Sequence, residues 1–215
     1  MSTGFGPYSE DDSERPMALA IRGVLFDLDG VVVVQSLNFM AIEQEIFGST
    51  EGFILERVQG LFGPERARAE AILEHHETNA ATRCQSVDGI VPLLRRLDAQ
   101  GLLLGLVTRN SRKSVELIQA RFRFPFSTVV CREDAPPKPA PDPILLACRR
   151  LAVAPHETLF VGDFEFDMLA GRRAGVRTVL LCNPIQPFSP NADHLIASLA
   201  VIPKLLGLHD SVKSA

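Results

Sequence analysis

Five short apolar runs, separated by segments with a helical pattern, constrain the fold of this chain more than any other feature. Most positions in the runs are apolar without alternation, which is typical of strands covered on both faces of a parallel sheet. The segments between them carry leucines at helical spacing and glycine stops such as Gly101 and Gly175. The runs lie at 20–29, 102–108, 127–131, 158–163 and 176–182. This alternation predicts an α/β fold with a doubly wound, Rossmann-like parallel sheet.

Capping residues suggest where individual helices begin. Asn110 is a suitable N-cap for a helix over 111–122. Asp142 can cap the next helix, and Pro143 fits its first turn. Near the C-terminus, the segment 192–207 predicts one edge strand and a closing helix.

One region breaks the alternation of strand and helix. Residues 37–87 contain no convincing strand and instead show amphipathic helical patterns, which predict a small helical cap inserted into the core. The core is then formed by 18–36 and 88–215, and the polar, acidic segment 1–17 is expected to be a flexible tail. We expect four aromatic residues to form the cap's own small core, with one or two of them lining the substrate entrance instead: Phe39, Phe47, Phe53 and Phe62.

Composition excludes several classes of function. The net charge of −4 gives no general case for binding nucleic acid or an anionic membrane surface. No stretch reaches the roughly 18 uninterrupted apolar residues of a membrane helix. The four cysteines are scattered without zinc-site spacing, and the N-terminus lacks the features of a secretory signal, so we expect free thiols and a cytoplasmic protein. Monomer and homodimer both stay open.

Polar side chains follow the predicted strands at the carboxyl edge of the sheet, where such folds bind ligands. Several converging carboxylates are best held together by a hard divalent cation, and Mg²⁺ is usual where phosphates are handled. A lysine and a helix N-terminus add positive charge for an anion, and Gly30 allows a tight turn with close approach of a ligand. Together they predict a phosphoryl-transfer site. In chain order, the residues are Asp27, Asp29, Thr108, Arg109, Asn110, Lys138, Asp163 and Asp167.

Four motifs in this order resemble those of the haloacid dehalogenase superfamily. They are FDLDGV (26–31), LVTRN (106–110), KPAPDP (138–143) and VGDFEFD (161–167). The resemblance spans about Val24 to Leu181. The insertion after the first motif is similar to the helical cap of the phosphoglycolate phosphatase-like branch, although it is shorter than is usual there.

The resemblance implies a role for each matching residue. Asp27 would be the nucleophile that forms an aspartyl-phosphate, and Asp29 the acid and base. Thr108, with Arg109 and Asn110 after it, would bind the phosphoryl group, and Lys138 would neutralise its charge.

The family's metal site is implied at the same sheet edge. Asp27, Asp163 and the backbone carbonyl of Asp29 would hold Mg²⁺. Asp167 would act as a ligand through water or support Lys138. Two positions depart from the family pattern: Val31 replaces a common Thr, and Phe164 stands where Ser or Thr is common. Neither substitution removes a catalytic group.

The presence of Asp29 favours phosphate ester hydrolysis over carbon–halogen cleavage. Dehalogenases of the superfamily lack this second aspartate, whereas a leaving alkoxide needs the proton that it supplies. The sequence therefore predicts a Mg²⁺-dependent phosphatase of a small phosphorylated metabolite. Two alternatives stay open. A phosphomutase of the β-phosphoglucomutase type would need a well-fitting cap, and a catalytically silent Mg²⁺-binding regulatory module has no need of all four residues Asp27, Asp29, Lys138 and Asp163.

Overall fold

A computed structural model describes residues 20–34, 36–182 and 184–208 of the chain. The tail predicted over 1–17 lies outside the described residues. The described part contains one six-stranded sheet with the order β3-β2-β1-β4-β5-β6, and every strand pair is parallel. The strands are β1 Gly23–Phe26, β2 Leu103–Val107, β3 Thr128–Val130, β4 Thr158–Gly162, β5 Arg177–Leu181 and β6 His194–Ile196.

Helices cover both faces of this sheet. They are α4 Ile90–Ala99, α5 Arg112–Phe122, α6 Asp142–Leu151, α7 Glu165–Ala174 and α8 Ile202–Leu205, and α1 to α3 precede them in the chain. Successive residues of a strand point to opposite faces. Val24 and Phe26 accordingly join one buried cluster, and Leu25 joins the other. Such two-sided burial explains the continuous apolar runs, and the predicted doubly wound α/β fold is confirmed.

The direction of winding reverses at β1. The chain passes from β1 to β2 and β3 on one side, and then returns to place β4, β5 and β6 on the other. The connections that follow β1 and β4 therefore lead in opposite directions. This leaves a crevice beyond the carboxyl ends of these two strands. Asp27 and Asp163 each come directly after one of these two strands.

Two predicted caps differ from the structure. Helix α5 is capped by Ser111, whose hydroxyl accepts from the backbone N–H of Ser114, because Asn110 turns its side chain towards the sheet edge instead. Helix α6 is preceded by Pro141, so Asp142 lies in its first turn rather than at the cap. The edge strand and closing helix predicted within 192–207 are present as β6 and α8.

Three helices lie within the predicted insertion: α1 Phe39–Phe47, α2 Ile54–Gln59 and α3 Gly63–Arg83. Their buried cluster is mainly aliphatic, formed by Ile42, Ile54, Val58, Ala69 and Leu73. The expectation of an aromatic core here was wrong. Phe47 packs against the cluster only in part, whereas Phe39, Phe53 and Phe62 are exposed, because the aliphatic residues already fill the space between the helices.

The two chain segments that lead into and out of these helices pair with each other. Val34 donates its N–H to the carbonyl of Gln85 at 2.8 Å, and Val87 donates to Val32 at 3.0 Å. Helix α3 also packs along α5 of the core. The division at 37 and 87 stays a prediction. Within the described ranges, no helix has the length and apolar character needed to cross a membrane.

Candidate active site at the carboxyl edge of the sheet

Asp27 is positioned by the strand that precedes it. Its backbone N–H donates to the carbonyl of Val161 on β4 at 2.9 Å, so the pairing of β1 with β4 continues to the nucleophile candidate. Gly30 then adopts a φ of +78°, and its N–H bonds to the carbonyl of Val33. This left-handed turn favours glycine and directs the chain away from the sheet edge.

Lys138 lies at the centre of the charged groups. Its Nζ is 2.6 Å from Oδ1 of Asp27 and 2.6 Å from Oδ1 of Asp167, and it donates to the carbonyl of Val107 at 3.1 Å. The side chain is only 2% exposed. Burial alone would lower the pKa of Lys138, but the two carboxylates more than offset it and the pKa is raised. The lysine is therefore a fixed cation within the sheet edge.

The carboxylates around this lysine are difficult to ionise. Burial raises the pKa of Asp27 well above its usual value, although Lys138 opposes the shift. Burial and the nearby Asp167 raise the pKa of Asp163 to about 7. Ionising these crowded carboxylates beside a single ammonium group would leave excess negative charge. A bound cation would offset that charge and favour the ionised forms.

Asp29 has a different environment from Asp27. Its Oδ2 accepts a 2.7 Å hydrogen bond from the side-chain amide of Asn110. Burial raises the pKa of Asp29 to about 6, and the Asn110 bond opposes part of that rise. Nearby, the buried Thr108 hydroxyl accepts from the N–H of Asn110 at 3.1 Å. The two motif aspartates are thus held by different partners.

Asp163 and Asp167 also differ in their surroundings. Oδ2 of Asp167 accepts from the backbone N–H groups of Asp163 and Phe164, while its other oxygen pairs with Lys138. Among the described residues, the Asp163 carboxylate is hydrogen-bonded by its own backbone N–H and by no other group. It packs against Gly30, where an added Cβ would lie 1.8 Å from Oδ2 of Asp163.

The acidic groups fit a hard divalent cation. Oxygen atoms of Asp27, Asp163 and Asp167 all lie within 4.8 Å of one another. Because Asp167 is committed to Lys138 and to two amides, Asp27 and Asp163 are the freer carboxylates. Oxygen donors of this kind are those that Mg²⁺ prefers.

Arg109 is held by Glu56 of helix α2. Its Nη2 donates to both carboxylate oxygens of Glu56 at 2.8 Å, and the guanidinium lies 4.8 Å from the ring centre of Phe166. The predicted binding side chain is therefore already paired in this structure.

A cavity of about 490 Å³ opens between the sheet edge and the helices α1 to α3. All eight of the polar residues predicted for the site line this cavity. Glu43 and Glu77, which approach from the opposite side, and Phe166 of α7 also line the cavity and were not predicted from the sequence. Glu56, the partner of Arg109, was not predicted either. Phe39 and Phe53 line the cavity, as expected for one or two of the four aromatic residues. Single glutamates and phenylalanines on helices carry no distinctive signal, although Phe166 lies within the fourth motif.

Glu77 ties helix α3 to the core beside this cavity. It is 4% exposed, accepts from the backbone N–H of Ser111 at 3.1 Å and forms an ion pair with Arg132. Ser111 caps α5 directly after the loop that carries Thr108 and Asn110. The position of α3 is thus coupled to the loop that lines the site.

Comparisons with known proteins agree with this architecture. The model of the family described as haloacid dehalogenase-like hydrolase matches residues 24–181. A haloacid dehalogenase-like hydrolase domain-containing protein of Arabidopsis thaliana is 32% identical over 75% of this chain and 71% of its own length. The N-acetylmuramic acid 6-phosphate phosphatase of Pseudomonas aeruginosa is 30% identical over 74% of this chain and 81% of its own.

A solved structure shares the fold. The HAD-superfamily hydrolase, subfamily IA, variant 1, of Geobacter sulfurreducens superposes with a TM-score of 0.62 at 24% identity. The match covers 87% of this chain and 97% of that one.

Proposed function

The chain belongs to the haloacid dehalogenase-like hydrolase family, and from this premise we propose that it is a Mg²⁺-dependent phosphatase of a small phosphorylated metabolite. One observation carries the proposal. Asp27 and Asp29 line the same cavity, but Asp27 is paired with Lys138, whereas the carboxylate of Asp29 is bound by the neutral amide of Asn110 and by no other side chain of the described residues. One carboxylate is therefore suited to attack and the other to proton transfer.

In the first step, an oxygen of Asp27 bonds to phosphorus as the bond between phosphorus and the ester oxygen breaks. Lys138 opposes the rise in the pKa of Asp27 that burial causes, and it offsets charge on the phosphoryl group. Asp29 gives its proton to the leaving oxygen, which departs as an alcohol. Thr108 and the amides that follow it, at the start of α5, hold the phosphoryl oxygens.

In the second step, Asp29 takes a proton from water, which attacks the phosphorus of the aspartyl-phosphate. Inorganic phosphate leaves and Asp27 is regenerated. A pKa of about 6 allows Asp29 to serve in both protonation states near neutral pH.

Asp27, Asp163 and the backbone carbonyl of Asp29 would hold the Mg²⁺ ion. When bound, the ion would neutralise charge on the phosphoryl oxygens and on the crowded carboxylates. Asp163 supports this assignment because, among the described residues, its carboxylate has no ion-pair partner and only its own backbone N–H as a donor. Asp167 acts as the support of Lys138, since both of its oxygens are engaged.

Relatives support a phosphate ester as the substrate. The Pseudomonas aeruginosa protein is named for hydrolysis of a sugar phosphate, and a further relative from Xanthomonas campestris, 28% identical over 74% of this chain, is named phosphoglycolate phosphatase. The phosphomutase alternative is less consistent with the cavity, because the residues of 37–87 that line it include no lysine, arginine or histidine to bind a second phosphate.

The cellular setting is proposed on similar grounds. Cys84, Cys131 and Cys148 are buried and unpaired, as expected of a reducing compartment, so we infer a cytoplasmic enzyme. Neither nucleic acid nor a membrane is expected as a partner. Monomer and homodimer remain equally compatible with the fold.

Phosphate release tests the proposal. The wild-type protein would be assayed against a broad panel of phosphorylated metabolites with Mg²⁺ and with EDTA, beside Asp27→Asn and the exposed control Asp98→Asn. We expect Mg²⁺-dependent release that is lost in Asp27→Asn and retained in Asp98→Asn. Absence of release from every compound, with Mg²⁺ binding intact, would instead favour the silent regulatory module.

A further inference from the structure

We propose that the leaving group of the substrate has an apolar, ring-sized body, carries a hydroxyl or ammonium donor, and lacks a carboxylate. This inference rests on the proposed phosphatase function and specifies its substrate class. It depends on three features of the described cavity wall: an aromatic cluster, the pairing of its lysine and its arginine, and the carboxylate of Glu43.

The aromatic cluster spans the mouth of the cavity. Phe53 comes from the segment before α2, whereas Phe164 and Phe166 come from the start of α7. The ring centres of Phe53 and Phe166 are 4.6 Å apart, and those of Phe164 and Phe166 are 5.2 Å apart. Phe53 and Phe164 nevertheless remain 49% and 43% exposed. Apolar rings left open to a cavity next to a reactive centre favour an apolar ligand that would cover them.

Cations in the cavity wall are already paired. Lys138 binds Asp27 and Asp167, and Arg109 donates to both oxygens of Glu56. No other lysine, arginine or histidine is present among the described residues that line the cavity. A carboxylate on the leaving group would therefore find no free cation here.

Glu43 indicates which polar group the leaving group carries. This residue of α1 is 7% exposed and lines the cavity, yet its carboxylate has no hydrogen-bond or ion-pair partner among the described residues. Its carboxylate oxygens are not fully buried, so a ligand in the cavity that supplies a donor can form a charge-assisted hydrogen bond with them and gain affinity. A hydroxyl or ammonium on the leaving group would meet this need, whereas a carboxylate would be repelled.

Four phosphate esters with similar alkoxide leaving groups test these criteria. Benzyl phosphate and propyl phosphate differ in the aromatic ring. The 4-(aminomethyl)benzyl and 4-carboxybenzyl phosphates then add a cation or an anion to the same ring. We expect kcat/KM to be at least about tenfold higher for benzyl than for propyl phosphate. We also expect the aminomethyl compound to exceed the carboxy compound by at least about tenfold.

Variants assign each preference to its residue. Glu43→Gln should reduce the ratio of kcat/KM between the aminomethyl and carboxy compounds. Phe53→Ala should reduce the ratio of benzyl to propyl phosphate. Phe62→Ala is the matched control, because Phe62 is 81% exposed and does not line the cavity, and it should leave both ratios unchanged.

The outcomes separate this inference from the proposed function. Equal turnover of all four esters, or preference for the carboxy compound, would overturn the substrate class while the phosphatase stands. Absence of turnover for all four and for p-nitrophenyl phosphate would overturn both.

Discussion

The side-chain amide of Asn110 donates a 2.7 Å hydrogen bond to Oδ2 of Asp29, and so links the second motif to the first. This bond orients the carboxyl group that is proposed to protonate the leaving oxygen, and it favours the ionised form of that group. Two consequences can be measured in one variant, because orientation acts on the rate and ionisation acts on the pH profile.

Replacing Asn110 with alanine should lower kcat/KM for an alkyl phosphate by about ten- to a hundredfold, since proton transfer would lose its alignment. The pKa of Asp29 should rise, because the bond that favours ionisation is lost. Asp29 must be protonated to expel the alcohol, so activity falls as pH rises through this pKa. The alkaline limb of the kcat/KM profile should therefore move to higher pH. Asn191→Ala is the control. An unchanged pH profile of kcat/KM in Asn110→Ala would contradict the proposed effect of Asn110 on Asp29.

Lys138→Met should lower kcat by at least about a hundredfold, because the ammonium is the fixed positive charge beside Asp27. Lys113→Met provides the comparison, since Lys113 is an exposed lysine that pairs with Glu74. Steady-state kinetics and circular dichroism would be recorded for both proteins. If a folded Lys138→Met protein retained wild-type kcat, the proposed role of this lysine would be excluded.

Gly30→Ala should weaken Mg²⁺ binding and lower activity by at least about tenfold, because the new Cβ would displace the Asp163 carboxylate. Gly175→Ala is a matched control. Gly175 has a φ of +75°, close to the +78° of Gly30, but a Cβ there meets no atom within 4 Å. Both variants share a backbone cost of about 1–2 kcal/mol. Titration calorimetry with Mg²⁺ separates them, and equal metal affinity in the two variants would argue against Asp163 as a ligand.

Glu77→Gln should destabilise the fold by about 2 kcal/mol, because it leaves the guanidinium of Arg132 without its buried partner. Glu74→Gln, on the exposed side of the same helix, should change stability far less. Urea denaturation would measure both free energies of unfolding. If the two variants were equally stable, α3 would not depend on Glu77 for its attachment to the core.

Most of the sheet could be predicted from the sequence, because its strands are buried on both faces and their apolar runs are uninterrupted. The placement of Asp27, Thr108 and Asp163 at one edge of the sheet could be predicted as well, because parallel strands have their carboxyl ends at the same edge. The prediction of Asn110 as the cap of α5 was wrong, although Asn110 lies at the predicted site, because a cap and a side-chain partner use the same residue type. The sequence around Asn110 favours a helix cap. The contact with Asp29 depends on the tertiary fold, because the two residues are far apart in the sequence.

The side of the site formed by the helical segment could not be predicted in the same way. Glu43 and Phe53 reach the cavity only because of how α1 and α2 lie over the sheet edge. Helical periodicity indicates which face of a helix is apolar but not which element that face meets. For the same reason Phe39 and Phe62 were placed in a core that aliphatic residues fill instead.

The central claim is that Asp27 receives the phosphoryl group, and acid-quenched mass spectrometry of the Asp29→Asn variant tests it most directly. With p-nitrophenyl phosphate and Mg²⁺, the leaving group needs no proton, so the first step should proceed while hydrolysis stalls. The account predicts a stoichiometric burst of nitrophenolate and a phosphoryl adduct on the peptide that contains Asp27. Continued turnover without any adduct, or an adduct on another residue, would contradict it.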